Sequence, residues 1–188
     1  MKKYIAFLLL VPGFLIAQEQ NEYQLGNNEI KFDVVSAIAV GRYQLSYERF
    51  IGDSWSVGIS GILVDSKSQK RDFEKGNSRT LEDYEIIPFV RYALSKSKIR
   101  YYFIEVFASY NTGSYRQLER LVNNGVAFYD TVNYDYSDVA LGGAIGHKFY
   151  LKEKFSVDIF VGAGKNLFQD GKSPDIISRV GLNLGYRF

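Results

Sequence analysis

Histidine occurs once, at His147, and cysteine does not occur. One imidazole cannot assemble a metal centre, which needs several converging ligands. Acyl transfer would require a serine and an acid arranged around that histidine. Lys148 and Phe149 follow it, with no serine two residues on. Gly162-Ala163-Gly164-Lys165-Asn166 resembles a phosphate-cradling loop only in part. Its glycine spacing is wrong, no Ser or Thr follows the lysine, and no helical pattern begins there. No catalytic cluster, metal site or cofactor is therefore expected.

The chemistry that does recur is charge on one face of apolar segments. Lys31, Asp33, Glu48, Glu85, Arg91, Glu105, Asp138, Lys148, Asp158, Arg179 and Arg187 each alternate with apolar neighbours in steps of two. Charges turned into a narrow, dry interior must find partners, because a lone buried ion costs several kcal/mol even after relaxation. Two readings follow, a set of interlocking ion pairs that fills the interior, or a narrow gated pore in which such pairs open and close. Arg179 and Arg187 are expected beside Asp158 and Asp33. Glu48, Glu85, Arg91 and Glu105 complete the set on the middle strands.

The elements that must hold these charges are strands. The last segment puts Val180, Leu182, Leu184, Tyr186 and Phe188 on one face, and Arg179, Asn183 and Arg187 on the other. Strand-like segments are expected near 29–40, 42–50, 55–65, 82–94, 99–114, 132–150, 155–167 and 176–188. Tight turns at 52–54, 95–98 and 152–154 alternate with longer polar links at 66–81, 115–131 and 168–175, while the link near Gly41 is short. Short turns on one side and long loops on the other fit a membrane barrel whose short turns face the periplasm.

Before the strands, Lys2 and Lys3 precede an apolar run from Ile5 to Ile16, and Ala17 offers a small residue. That is the layout of a cleaved signal peptide at 1–17, which leaves 18–188 as one domain. The run is too short for a membrane helix, and Pro12-Gly13 interrupts it. The whole chain has 23 basic and 21 acidic residues; without Lys2 and Lys3 the balance is 21 to 21. A neutral mature chain gives no argument for nucleic acid.

An aromatic residue ends the apolar face of each segment on the short-turn side: Phe32, Tyr47, Trp55, Tyr92, Tyr102, Phe149, Phe155 and Tyr186. Such rings suit the headgroup level of a bilayer. Tyr43, Tyr84, Tyr110 and Tyr136 form a thinner set at the other end. His147 is expected to face lipid near the short-turn rim.

Two links carry further signals. Residues 66–80 hold Lys67, Lys70, Arg71, Lys75 and Arg79, which could meet lipopolysaccharide phosphates or simply be solvated. Asn123-Asn124-Gly125 is a hairpin turn signal flanked by Leu118, Leu121, Val122, Val126, Phe128 and Tyr129. The fifth and sixth strands should continue past the membrane as a protruding hairpin, with a bulge near Tyr136–Asp138. Its free edge could recruit a protein partner by strand addition, or the segment could pack over the barrel mouth.

These features together resemble the small eight-stranded outer-membrane barrels of the OmpA/OmpX type. The resemblance rests on the leader, the strand-turn-strand rhythm and Leu182-x-Leu184-x-Tyr186-x-Phe188. It implies an all-β, eight-stranded antiparallel up-and-down transmembrane β-barrel in a Gram-negative cell outer membrane. It also implies that Leu184, Tyr186 and Phe188 are read by the barrel-insertion machinery. The role implied is non-enzymatic, in envelope integrity or adhesion, with outer-membrane lipid, lipopolysaccharide and surface proteins as partners. A small-solute pore is the alternative, and a lipid-modifying enzyme a weaker one. A soluble lipocalin-like barrel would turn the apolar face inward, against the aromatic pattern. On a gel in detergent, unheated protein should migrate faster than boiled protein; identical mobilities would count against a membrane-type barrel.

Overall fold

The computed structural model describes residues 26–188 except 96, 98, 124, 125, 153 and 169–171. The leader at 1–17 lies outside the described residues. The strands are β1 (Asn28–Asp33), β2 (Arg42–Ile51), β3 (Trp55–Val64), β4 (Thr80–Ala93), β5 (Arg100–Asn123), β6 (Val126–Leu151), β7 (Phe155–Asn166) and β8 (Ile176–Arg187). Each pairs antiparallel with its sequence neighbour, and β1 pairs with β8, so the sheet closes as an eight-stranded up-and-down barrel. Closure leaves the sheet without an end strand, although β1 is shorter than the strands on either side of it. The β2–β3, β4–β5 and β6–β7 turns mark one end, the turn end; the other links mark the loop end.

Two short helices replace expected strand and loop. The first segment was expected to stay extended over 29–40, but β1 stops at Asp33 and α1 (Val34–Val40) follows. Asp33 caps it by accepting a hydrogen bond from the Ser36 N–H at 2.9 Å. Gly41, at φ 66°, ends it in the left-handed region that glycine tolerates. Val34 to Val40 is a nearly unbroken apolar run, in which the alternation that identifies a strand is missing. In the 66–81 link, α2 (Lys67–Glu74) starts at Ser66, whose hydroxyl accepts from the Gln69 N–H. No helix among the described residues is long and apolar enough to cross a membrane.

The hairpin runs without interruption from Arg100↔Phe149 to Asn123↔Val126. The bulge expected near Tyr136–Asp138 is absent from this ladder. The register shift lies instead on β4, between Glu82 and Tyr84. One extra residue there re-aims the β4 side chains near the loop end without disturbing β6.

Parity then sorts the residues. Outside, Leu45, Ile59, Val106, Ile145, Val161 and Leu184 form an exposed apolar belt. Inside are charges and serines, but also large apolar side chains: Ile62, Ile87, Phe89, Phe103, Phe107 and Phe160. Glycines opposite make room for these rings. A Cβ on Gly58 would run into the Phe89 ring and the Tyr47 carbonyl; one on Gly146 would run into the Phe103 ring. Gly58→Val should therefore cost about 1–3 kcal/mol through overpacking. Adding Phe89→Leu should recover part of that loss in urea unfolding from lipid vesicles. A Gly58→Val protein as stable as the parent would contradict this packing.

Candidate functional site

The barrel interior nearer the turn end holds one continuous ionic cluster. Lys31 on β1 reaches Glu48 on β2 and, at 3.1 Å, Asp158 on β7. Lys148 on β6 reaches Glu29 at 2.8 Å, Glu48 at 2.8 Å and Asp158 at 3.5 Å. Arg91 on β4 spans Asp158 at 2.7 Å, Glu48 at 3.2 Å and Glu105 at 2.6 Å. Arg179 on β8 donates from Nε to Glu105 on β5. Carboxylates Glu29, Glu48, Glu105 and Asp158 face cations Lys31, Arg91, Lys148 and Arg179, four of each and no net charge. β3 supplies no ion, but the Ser56 hydroxyl donates to Glu48.

Charge alone does not fill the section. The Arg91 guanidinium lies 4.2 Å from the Phe103 ring centre and 4.8 Å from that of Phe89. Arg179 sits about equally far from Phe107 and Phe160, 5.2 Å from each. Ring faces accept cations and carry apolar bulk, so they both pack and stabilise the guanidinium groups. The Arg179 Nη1 and Nη2 groups and the Asn183 amide are buried without a hydrogen-bond partner among the described residues.

Glu29, Glu48 and Asp158 bring carboxylate oxygens within 4.8 Å of one another, a spacing a metal ion could bridge. Lys31 and Lys148 already donate into that space, so the trio acts here as the acceptor side of an ion cluster.

The other inward charges lie outside the cluster. Asp33 is buried but caps α1 and also accepts from the Ser36 hydroxyl at 2.8 Å. Arg187, expected beside the acids, stacks 3.5 Å over the Phe50 ring instead. It donates to the Gly26 carbonyl and the Tyr150 hydroxyl. Arg179 stands opposite Gly162 and finds Glu105 across the barrel rather than Asp158 beside it. Near the loop end, Glu85 accepts from Arg42 at 2.7 Å and from Ser109 at 2.5 Å. Asp138 accepts from Ser173 at 2.7 Å. The aromatic interior residues went unnoticed in the sequence, although Phe89 falls in step between Glu85 and Arg91, and Phe103 and Phe107 flank Glu105.

Outside, Phe32, Tyr47, Trp55, Tyr92, Tyr102, Phe155 and Tyr186 are exposed, and Phe149 is half-buried. Trp55 packs on Tyr92 with ring centres 4.8 Å apart, and Phe155 on Tyr186 at 5.6 Å. His147 lies between Tyr102 and Phe149, at 4.6 and 6.0 Å. Tyr136, counted from the sequence with the outer rings, points inward and is buried. Leu184, Tyr186 and Phe188 are all exposed on the outer face.

Beyond the barrel, β5 and β6 form a two-stranded ribbon. Arg116 at its base donates to Asn133 at 3.1 Å and lies 4.7 Å over the Phe73 ring of α2. The Tyr134 hydroxyl donates to Glu119 at 2.7 Å, and that hydrogen bond holds its proton on, raising its pKa. Leu118 and Val122 lie on one face of the ribbon. Phe128, opposite Leu121, lies on the other, so the expected apolar residues do not merge into one patch. Val126 pairs with Asn123 next to the tip.

This geometry has solved counterparts. The N-terminal β-barrel domain of OprF from Pseudomonas aeruginosa superposes with a TM-score of 0.51 at 12% identity, covering 88% of this chain and all of that one. The chain has the fold of a small eight-stranded outer-membrane barrel. Neisserial surface protein A aligns at a TM-score of 0.49 and 10% identity, over 86% of this chain and 93% of that one. Ail of Yersinia pestis aligns at 0.45 and 12%, over 87% and 99%. No protein-family model and no curated protein sequence matches the chain.

Glu48 is the most connected member of the cluster, touching Lys31, Lys148, Arg91 and Ser56. Glu48→Gln leaves one buried cation uncompensated and should cost about 3–5 kcal/mol. Glu85→Gln should cost clearly less, since its partner Arg42 is partly exposed. Urea unfolding of both variants in vesicles checks the order; equal losses would refute the cluster's special standing.

Proposed function

We propose that this chain is a non-enzymatic outer-membrane barrel that displays its β5–β6 ribbon as a surface-interaction element. In this reading the turn end faces the periplasm and the apolar belt meets lipid. The observation that carries the proposal is the ribbon itself. β5 and β6 have 24 and 26 residues, against at most 14 in any other strand. A tilted membrane strand needs only about 9–11 residues, so both extend well past a bilayer. They do so above an interior occupied by buried ions and rings. The ribbon exposes Leu118, Val122 and Tyr129 on one face and Phe128 on the other, apolar groups open to a partner.

Beyond Ala140, β6 has no β7 ladder partner toward the ribbon tip, which leaves an edge for strand addition. Surface protein is the partner class proposed for that edge. Lys67, Lys70, Arg71, Lys75 and Arg79 stand exposed on and beside α2, and lipopolysaccharide phosphate is the ligand proposed for them. Lys70 already bonds Asp65 at 3.2 Å, an exposed pair of small value that a phosphate can replace. Leu184, Tyr186 and Phe188 are proposed as the contact for the insertion machinery.

Replacing 116–133 by an Asn-Gly turn should leave the heat-dependent gel shift intact and abolish adhesion to immobilised surface protein. Planar bilayers holding the parent protein should show no discrete conductance. Steady single-channel steps would favour the pore, and undiminished adhesion by the trimmed variant would remove the ribbon's role.

A further inference from the structure

Toward the loop end the interior changes character. The ionic cluster gives way to an apolar layer of Ile62, Ile87, Phe89 and Phe107, with Val64 and Ile177 packed on it. Next to this layer, at the barrel mouth, lies a cavity of about 170 Å³. Its wall is of two kinds. Ile62, Val64 and Ile177 form an aliphatic side, while Glu82, Glu85 and Tyr136, with threonine, serine and asparagine residues between them, form a polar one. The two acids come from β4, at the level of its bulge, and Tyr136 comes from β6 across the mouth.

Two features of the polar side are unfinished. First, Glu82 and Glu85 share one cation. The Arg42 guanidinium lies 2.7 Å from Glu85 and 3.5 Å from Glu82, and no other ion pair reaches either acid among the described residues. One negative charge is left over at the cavity. The Glu82 side chain is 44% exposed and that of Glu85 only 10%, so the pair leads from solvent into the mouth. Second, Tyr136 borders the cavity at 4% exposure, yet its hydroxyl makes no hydrogen bond among the described residues. Buried hydroxyls are rarely left so in a folded protein.

We propose that this cavity binds a small organic cation, a primary ammonium on a short alkyl chain. An ammonium has three donors and no acceptor. Glu82 and Glu85 accept two of them and gain the missing positive charge, and the Tyr136 hydroxyl accepts the third. The alkyl chain lies on Ile62, Val64 and Ile177. A cavity of about 150 Å³ holds a benzene-sized molecule, so this one suits about six heavy atoms. A bare divalent ion fits less well, since it wants oxygen on every side and the aliphatic wall offers none. An anion would meet the surplus carboxylate. The rings and ions below close the turn side, so the ligand enters and leaves at the loop end. The site is separate from the ribbon and needs no surface protein.

Methyl NMR of isoleucine-labelled protein in phosphatidylcholine nanodiscs tests this, with n-butylammonium chloride as the probe. The Ile62 and Ile177 methyl signals should shift saturably, half-way at about 1 mM or below. Those of Ile145 and Ile159, exposed on the outer face, should stay in place. Neither n-butanol, the neutral isostere, nor Mg²⁺ should shift the two cavity methyls saturably. Glu82→Gln should raise the half-saturation concentration about tenfold, and Tyr136→Phe about three- to tenfold. Tyr136→Phe removes no hydrogen bond of the free protein, so it should keep the heat-dependent gel shift and report on binding even if Glu82→Gln fails to fold. No saturable shift, an equal response to n-butanol, displacement of the probe by an equal concentration of Mg²⁺, or an unchanged half-saturation in either folded variant would each overturn the proposal.

Discussion

The barrel depends on the mutual neutralisation of eight ions in its interior. No member of the cluster has its partners on its own strand alone; Lys31 on β1 needs β2 and β7, and Arg91 on β4 needs β2, β5 and β7. Ions this dry are tolerated only when acceptors and donors converge at short range. The cluster therefore prescribes a register for the strands that carry it, because a slip of one residue would turn every charge outward. The apolar belt and the ionic interior are two consequences of one alternation.

Much of this was legible in the chain. Strands β2, β3, β7 and β8 alternate over most of their length, so their faces could be assigned from residues such as Val157, Asp158 and Ile159. Partners were not legible, since alternation gives the side of the wall and not the height or the direction of reach. Arg179 illustrates the limit, extending across the barrel to Glu105 although Asp158 lies on the adjoining strand. Arg187 shows another, taking Phe50 and Tyr150 in place of a carboxylate. The inward phenylalanines were hidden by their chemistry: an apolar residue at an inward position looks like noise when the other inward residues are charged.

Where alternation lapsed, the reading lapsed with it. Val34 to Val40 is apolar except for Ser36, and a run of that kind fits a strand buried on both faces as well as a helix. Asp33 and Gly41 were the cap signals at its two ends. The Glu82–Tyr84 bulge left no composition signal, whereas Asn124-Gly125 announced its hairpin plainly.

The shortness of β1 bears on how the barrel is built. Its seam with β8 holds five residue pairs, the fewest that any neighbouring strands share apart from the equally short β1–β2 ladder. Yet β1 carries Glu29 and Lys31, which bind β6, β2 and β7 from inside. An open sheet of β2 to β8 would leave Lys148 without Glu29, and Glu48 and Asp158 without Lys31. Closing one of the two shortest hydrogen-bonded seams thus completes the network of ion pairs in the same event. That coupling should make the final closure steeply cooperative, with half-closed barrels sparsely populated during assembly.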